Sequence, residues 1–270
     1  MRFTVLPFFY QTYWFYATSF IIILSILYTT YKWRISRVEK RNAELRKLNN
    51  ELDSFVYSTS HDLRAPLASI LGLVNLSRME AQNKDHYINL IEKSVKKLDL
   101  FINEIIDYSK NARLELTVAA IDFAHLLSDI FDNLEYLEEK KHIKKSINIS
   151  GTIPLYSDKV RLGIILSNLI TNAMKYYNPN NPSPYVLIQV NTGKAGATIK
   201  VTDNGIGIAE EPKKNIFKMF YRASDKSSGS GLGLYIVKEA LEKLGGRITV
   251  DSKLGIGSTF EITLPSLPRK

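Results

Sequence analysis

A histidine beside a carboxylate, His61-Asp62, opens the motif His-Asp-Leu-Arg-Ala-Pro-Leu. Neutral imidazole is a usable nucleophile near neutral pH, because its unperturbed pKa is about 6.5. A neighbouring carboxylate can hold the ring tautomer that leaves the other nitrogen able to attack. A lone histidine on a helix is more often a polar surface residue, as we expect of His86, His125 and His142. The sequence around His61 sets it apart, and we predict His61 as a nucleophile with Asp62 as its orienting base.

A polar face of a predicted helix is suited to metal and phosphate. Asn168, Asn172 and Lys175 are spaced by four and three residues, so they share one side of the helix. Two amide oxygens on that side could bind a Mg²⁺ ion that also holds phosphates. The lysine could neutralise phosphate charge. The alternative for this face is a solvated stripe on an amphipathic helix.

Two glycine-containing motifs follow. Asp203-Asn204-Gly205-Ile206-Gly207 comes directly after a predicted strand. Its carboxylate could accept a hydrogen bond from an adenine amino group, and its glycines allow close approach of the backbone. A simple turn is the alternative. The second motif, residues 229–234, opens a helix predicted over 232–244, where backbone N–H groups can bind phosphate. Its spacing matches neither the dinucleotide fingerprint nor the Walker loop.

The order and spacing of these motifs resemble the sensor histidine kinases of two-component signalling. The motif at His61 resembles their H-box, and the three later motifs resemble the N, G1 and G2 boxes of their ATPase domain, a Bergerat-type fold shared with gyrase, Hsp90 and MutL. Residues 217–222 resemble the F-box, within a mobile lid expected over 209–230. The resemblance implies ATP and Mg²⁺ as cofactors, with Asn168 and Asn172 at the metal. The ATP contacts that it implies are Asn172, Lys175, Tyr176, Asp203, Gly205, Gly207, Arg222, Gly229, Gly231, Leu232 and Gly233.

The activity implied by this resemblance is transfer of the ATP γ-phosphoryl group to His61, and from there to an aspartate on a separate response regulator. Transfer within one subunit and transfer across a dimer both fit the sequence. Two alternatives stay open: an ATPase that drives a conformational clamp, which needs no such histidine, and a degenerate kinase that acts as a scaffold. Many relatives carry Thr or Asn at the position of Ala65, and that side chain positions the water that dephosphorylates the regulator. Ala65 has no hydrogen-bonding side chain, so we predict weak or absent dephosphorylation of the regulator by this protein.

The N-terminal segment is predicted to cross a membrane. No charged residue occurs from Phe3 to Tyr31, and the run is long enough for a bilayer. Aromatic residues lie near both ends, and a basic cluster follows (Lys32, Arg34, Arg37, Lys40 and Arg41). These features favour a single span in the inner membrane with the catalytic part in the cytoplasm. A signal peptide is the alternative, but no small-residue cleavage site closes the run.

Roughly the first dozen residues would lie outside the membrane, too few for an external sensor domain. Residues 6–15 resemble the juxtamembrane end of large kinases that carry an external β-propeller. The resemblance implies that this chain is a shortened relative or a fragment of such a kinase.

A long helix is predicted to carry the histidine. Between the apolar run and His61 there is no glycine or proline, and seam positions alternate in steps of three and four as in a coiled coil, at Val38, Arg41, Leu45, Leu48, Leu52, Phe55 and Thr59. Pro66 lacks an N–H, so the sequence alone ends the helix at Ala65. The resemblance implies instead a kinked continuation to about Arg78.

A second helix follows a polar turn, with an apolar stripe at Ile88, Ile91, Val95, Leu98, Ile102 and Ile105. As in the family, two such hairpins would form a dimeric four-helix bundle.

Length and composition fit these assignments. The chain has 270 residues, a net charge of +9 and no cysteine, which excludes disulfides. No nucleic-acid motif accompanies the basic balance, so we expect no nucleic-acid partner. We predict an α+β fold with four parts: a transmembrane segment (1–33), a coiled-coil helix (34–55), a dimerisation and phosphotransfer hairpin (51–112) and an α/β sandwich that binds ATP (113–268).

Overall fold

The computed structural model of the protein describes residues 8, 10, 13–80, 83–134, 143–223 and 229–268. The side chains at positions 44, 47, 48 and 51 also lie outside the described part. Parts of several predictions therefore fall outside it: the first residues of the apolar segment, Leu48 of the seam, His142, residues 81–82 of the polar turn and residues 224–228 of the lid. The chain divides into two units, residues 1–60 and 61–270.

The first unit consists of a helix that begins at Tyr13. This helix, α1, runs over Tyr13–Met79 and continues into the second unit. Within the described chain, Tyr13–Ala43 is the stretch that is long and apolar enough, by length and composition, to cross a membrane. Its apolar side chains are exposed along the helix, and the guanidinium of Arg37 lies 4.1 Å from the ring centre of Trp33. The arrangement matches an apolar segment followed by an aromatic and basic boundary.

The second unit begins with a helical hairpin. Helix α1 continues through Pro66 and ends at Met79, and α2 covers Lys84–Arg113. The expectation from sequence alone, that the helix ends at Ala65, is wrong, whereas the continuation implied by the resemblance is confirmed. Pro66 is buried, so packing of its ring offsets the backbone hydrogen bond that it cannot donate. Within this single chain the predicted stripe of α2 is partly uncovered: Ile88, Val95 and Ile102 are 42–48% exposed.

The remainder of the second unit is a five-stranded sheet covered by helices. The strands are β1 Val118–Ala120, β2 Lys144–Ser150, β3 Tyr156–Asp158, β4 Tyr185–Gly193, β5 Gly196–Asp203, β6 Arg247–Lys253 and β7 Gly257–Leu264. The large sheet has the order β2-β4-β5-β7-β6, in which only β2 and β4 are parallel, while β1 and β3 form a separate antiparallel pair. Together with the helices this confirms the predicted α+β class.

Four helices accompany the strands: α3 Phe123–Asn133, α4 Lys159–Lys175, the short α5 Glu210–Lys213 and α6 Gly233–Lys243. Helix α4 is almost enclosed, because Leu162, Ile165 and Leu169 are 0% exposed and face a core that the sheet completes with residues such as Ile188 and Ile199. The polar side of α4 is left for the site.

A buried arginine joins the end of the hairpin to the part of the chain that contains the sheet and helices α3–α6, here called the sheet domain. Arg161 at the start of α4 is 2% exposed and lies 3.0 Å from the carboxylate of Asp158, the residue that caps the same helix. Its guanidinium also donates to the carbonyl oxygens of Asn111 and Leu114, where α2 ends. Lys243 of α6 donates to the carbonyl of Asn111 as well. Cations at a helix C-terminus stabilise its unpaired carbonyl groups, so two helices of the sheet domain bind the end of α2.

Candidate active site

The predicted nucleophile lies on α1 at the start of the second unit. The side chain of His61 is 70% exposed, and its Nδ1 lies 3.2 Å from Oδ1 of Asp62. A carboxylate accepts a hydrogen bond from Nδ1–H, which fixes the tautomer whose Nε2 carries a lone pair. The pair therefore has the geometry expected of a nucleophile and its orienting carboxylate, and the ring is accessible to a donor or an acceptor of phosphate.

A cavity of about 1200 Å³ lies where α2, α4, β5 and the start of α6 meet. Most of the residues predicted to contact the nucleotide line it: Asn168, Asn172, Lys175, Tyr176, Asp203, Gly207, Arg222, Gly229, Gly231 and Gly233. Among the described residues that line it, His61 and Asp62 do not occur, and neither do Gly205 and Leu232. The fold thus gathers motifs separated by some sixty residues into one concave site, whose size suits a nucleotide.

Asp203 ends β5 at the wall of this cavity. Its carboxylate accepts a hydrogen bond of 2.9 Å from the backbone N–H of Gly205. Burial raises the pKa of Asp203 to about 6, although the backbone N–H groups of Gly205 and Ser258 oppose the shift. At neutral pH the group is a carboxylate with acceptor capacity that faces the cavity, which suits the amino group of adenine.

The glycines after Asp203 are needed for a protein contact. A Cβ on Gly205 would lie 2.3 Å from the carbonyl oxygen of Tyr176, and one on Gly207, whose φ is +66°, would lie 2.0 Å from that of Lys253. The sequence predicts that these glycines let backbone approach the base. The close approach in the structure is to neighbouring backbone, and their contact with the nucleotide stays a prediction.

The polar side of α4 presents its amides to the cavity. Nδ2 of Asn168 donates to the carbonyl of Ile164 at 2.8 Å, which fixes the amide and leaves Oδ1 beside the first residue of α6, Gly233. Asn172 lies one turn further along and lines the same cavity. Amide oxygens are hard ligands, so these residues fit a Mg²⁺ ion that takes its other ligands from phosphates and water. Among the described residues no cluster of three or more His, Cys, Asp or Glu offers a separate metal site.

The glycine-rich segment leads into α6. Gly231 has φ of +78°, and a Cβ there would lie 2.7 Å from the carbonyl carbon of Phe220, so only glycine fits. The backbone N–H of Leu232 donates to Oγ of Ser230 at 3.0 Å, and the Leu232 side chain is fully buried. The predicted contact of Leu232 with the nucleotide is therefore limited to its backbone and stays a prediction.

One wall of the cavity comes from the hairpin, a contribution that the sequence motifs do not indicate. Helix α2 contributes several polar and charged residues, namely Lys96, Asp99, Asn103, Glu104 and Asp107. Apart from the adjacent pair Asn103 and Glu104, their spacing of three to four residues marks one side of a helix, but this pattern is also that of an ordinary solvated face. Only the packing of α2 against α6 reveals that this side faces the candidate nucleotide site.

Two family models match the hairpin and most of the domain that follows it. Residues 51–113 match the family model described as the His Kinase A (phospho-acceptor) domain, and residues 157–268 match the model described as the histidine kinase-, DNA gyrase B- and HSP90-like ATPase. The first match contains the His61-Asp62 pair, and the second contains the three nucleotide motifs and Arg222.

Individual relatives align with most of the chain. The chain is 34% identical over 234 residues to cyanobacterial phytochrome B of Nostoc sp., which covers 83% of this chain and 30% of the relative. It is 33% identical over 255 residues to the sensor protein GacS of Pseudomonas syringae pv. syringae, covering 87% and 28%. The full-length structure of ShkA in complex with AMPPNP aligns with a TM-score of 0.56 at 26% identity, over 78% of this chain and 45% of that one. The chain thus spans less than a third of the length of these two curated relatives.

Proposed function

The chain belongs to the sensor histidine kinases, and on that premise we propose that it phosphorylates itself on His61 from ATP and passes the phosphoryl group to an aspartate of a separate response regulator. The observation that carries the proposal is the hydrogen-bonded pair of His61 and Asp62, 3.2 Å apart and accessible, in the same unit as the cavity.

In the first reaction, Nε2 of His61 attacks the γ-phosphorus of ATP. The new N–P bond forms as the bond between that phosphorus and the β,γ-bridging oxygen breaks, and ADP leaves. The imidazole retains its proton on Nδ1 and becomes positively charged, which the Asp62 carboxylate stabilises. In the second reaction a carboxylate oxygen of the regulator attacks the same phosphorus and releases neutral imidazole.

The residues of the cavity position the nucleotide. We assign recognition of the adenine amino group to Asp203, and neutralisation of phosphate charge to Lys175 and Arg222. Asn168 and Asn172 would hold Mg²⁺, which when bound supplies charge neutralisation on the phosphates. Because phosphoryl transfer depends mainly on positioning and electrostatics, no protein nucleophile other than His61 is required.

We further propose that the protein is a homodimer anchored by one membrane span, with the catalytic part in the cytoplasm. The exposed stripe of α2 supports pairing of hairpins, since Ile88, Val95 and Ile102 would otherwise face water. The apolar length of Tyr13–Ala43 and the basic residues within its last turns support the anchor and its orientation.

The kinase, the conformational clamp and the scaffold can be distinguished by the fate of the γ-phosphate of ATP. A kinase retains phosphate on the protein, a conformational clamp releases free phosphate, and a scaffold does neither. The test incubates the full chain in detergent with Mg²⁺ and γ-labelled ATP, then measures protein-bound and free phosphate in parallel with an Asp203→Asn control. We expect bound label in the wild type only. Free phosphate without bound label would favour the clamp, and binding of ATP without either product would favour the scaffold.

A further inference from the structure

Glu104 joins the hairpin to the glycine-rich segment. The hydroxyl of Ser230 donates to Oε2 of Glu104, and both residues line the cavity. The same hydroxyl oxygen accepts from the backbone N–H of Leu232 at 3.0 Å. A carboxylate on α2 is therefore tied to the segment whose backbone N–H groups are the expected phosphate-binding donors.

The electrostatic surroundings of Glu104 include groups that the phosphates would also meet. Burial raises the pKa of Glu104, whereas the Ser230 hydrogen bond and the charge of Lys175 lower it; Asp107 and Asp62 raise it further. Lys175 lies at the glycine-rich segment itself, since its Nζ is 2.6 Å from the position of a Cβ on Gly229. Glu104 thus interacts electrostatically with the lysine assigned to the phosphates.

Apolar packing holds this contact in place. Phe101 of α2 belongs to a buried cluster with Leu232 and Ile236 of the α6 region, and Ile105, next to Glu104 in sequence, packs against that cluster. Met219 and Phe220, of the segment that resembles the F-box, pack against the same cluster. The hydrogen bond between Glu104 and Ser230 therefore lies beside an apolar interface between the hairpin and the ATPase domain.

We propose that Glu104 is an internal competitor of the ATP phosphates, which holds the glycine-rich segment against α2 until the nucleotide displaces it. The inference rests on the proposed function. Phosphate and carboxylate are like charges that need the same donors, so both cannot occupy them together. Binding of ATP would break the contact between Glu104 and Ser230 and loosen the ATPase domain from α2. Such release would free the ATPase domain to move toward a histidine, because His61 of the same chain does not line the cavity in this arrangement.

The test measures the affinity of the full chain in detergent for ATP, ADP and adenosine. Glu104→Gln keeps the size and an acceptor oxygen but removes the charge. We expect it to bind ATP about fivefold more tightly, equivalent to about 1 kcal/mol, with a smaller gain for ADP and no gain for adenosine. Asp99→Asn is the matched control. Asp99 lies on the same helix and lines the same cavity, but its carboxylate accepts a hydrogen bond from Asn103 of α2 and not from Ser230.

Each outcome has one meaning. A gain that grows with the number of phosphates and is absent in Asp99→Asn supports the competition. Unchanged or weaker ATP binding by Glu104→Gln overturns it, and so does an equal gain for adenosine or an equal gain in the control. A wild-type protein that binds none of the three ligands would overturn the proposed function instead.

Discussion

The side-chain oxygen of Asn168 on α4 lies 2.6 Å from the point that a Cβ on Gly233, the first residue of α6, would occupy. This close approach joins the amide face of α4 to the start of the helix that is expected to bind phosphate. The amide cannot simply move away, because Nδ2 is held by the carbonyl of Ile164. The glycine is thus required by its neighbour, apart from the predicted role of this segment in binding phosphate.

Gly233→Ala should therefore weaken ATP binding without unfolding the protein. The methyl group would push Asn168 off its position, and we expect a loss of about tenfold or more in affinity for Mg²⁺-ATP. Titration calorimetry measures it. Gly193→Ala is the control, because a Cβ there would meet no atom of the described residues within 4 Å, its two chain neighbours aside. An affinity of Gly233→Ala equal to that of the control would contradict the assigned role of this contact.

The carboxylate of Asp203 should make adenine binding depend on pH. Because its pKa is raised to about 6, the charged form predominates above that pH and the neutral form below it. Adenosine, which carries no phosphate, should bind more weakly as pH falls through about 6, since a protonated carboxyl group is a poorer acceptor. Binding measured across about pH 5 to 8 tests this. A flat profile, with folding intact, would argue against Asp203 as the adenine acceptor.

The same raised pKa predicts a stability effect of opposite sign. The folded protein holds this proton more tightly than the unfolded chain, so burying the charge costs stability above about pH 6, and the cost disappears as pH falls below about 4. Asp203→Asn should raise the melting temperature at pH 7.5 while it weakens adenosine binding. At about pH 4 the two proteins should melt at nearly the same temperature. A variant that melts lower than the wild type at both pH values would refute this assignment.

Arg161 should be a major stabilising residue of the second unit. Arg161→Met would leave Asp158 as a buried, unpaired carboxylate and remove the donors to the end of α2, at a cost of about 3–5 kcal/mol. Lys238→Met is the control, because Lys238 pairs with Glu242 at 3.8 Å on the exposed side of α6 and should cost less than about 1 kcal/mol. Denaturant unfolding compares them. Equal losses in the two variants would show that the buried cluster has no special weight.

Ala65 should limit dephosphorylation of the regulator. This residue is exposed and has no side-chain hydrogen-bonding group with which to position water. Ala65→Thr should accelerate loss of phosphate from a phosphorylated receiver domain by about tenfold or more, as expected when a water molecule is oriented. Purified phospho-regulator is incubated with wild type or variant, and its decay is followed; Ala65→Gly is the control. Fast, kinase-dependent decay with the wild type would contradict the prediction.

Much of the site could be predicted because its chemistry lies in short motifs. His61 and Asp62 are adjacent, and Asn168, Asn172 and Lys175 share one side of a helix by spacing alone. A local rule failed at Pro66, because the proline rule on its own ends the helix while packing in the folded protein sustains it to Met79.

Contacts between distant residues could not be predicted. Glu104 and Ser230 are separated by 126 positions, and Arg161 contacts Asn111 across 50. No sequence spacing predicts either contact, because each depends on how α2 packs against α4 and α6. The polar side of α2 therefore resembled a solvated face until its packing placed it at the cavity. The close approach of backbone to Gly205 and Gly207 was hidden for the same reason.

The central claim is that His61 receives the phosphoryl group of ATP. The most direct measurement labels the full chain with γ-labelled ATP and Mg²⁺, beside His61→Gln and His86→Gln, and then exposes each protein to acid and to base. His86 is the control because it is an exposed histidine of the same hairpin. We predict a label that acid removes and base does not, present in the wild type and in His86→Gln and absent in His61→Gln. An acid-stable label, or one that survives in His61→Gln, would contradict the claim.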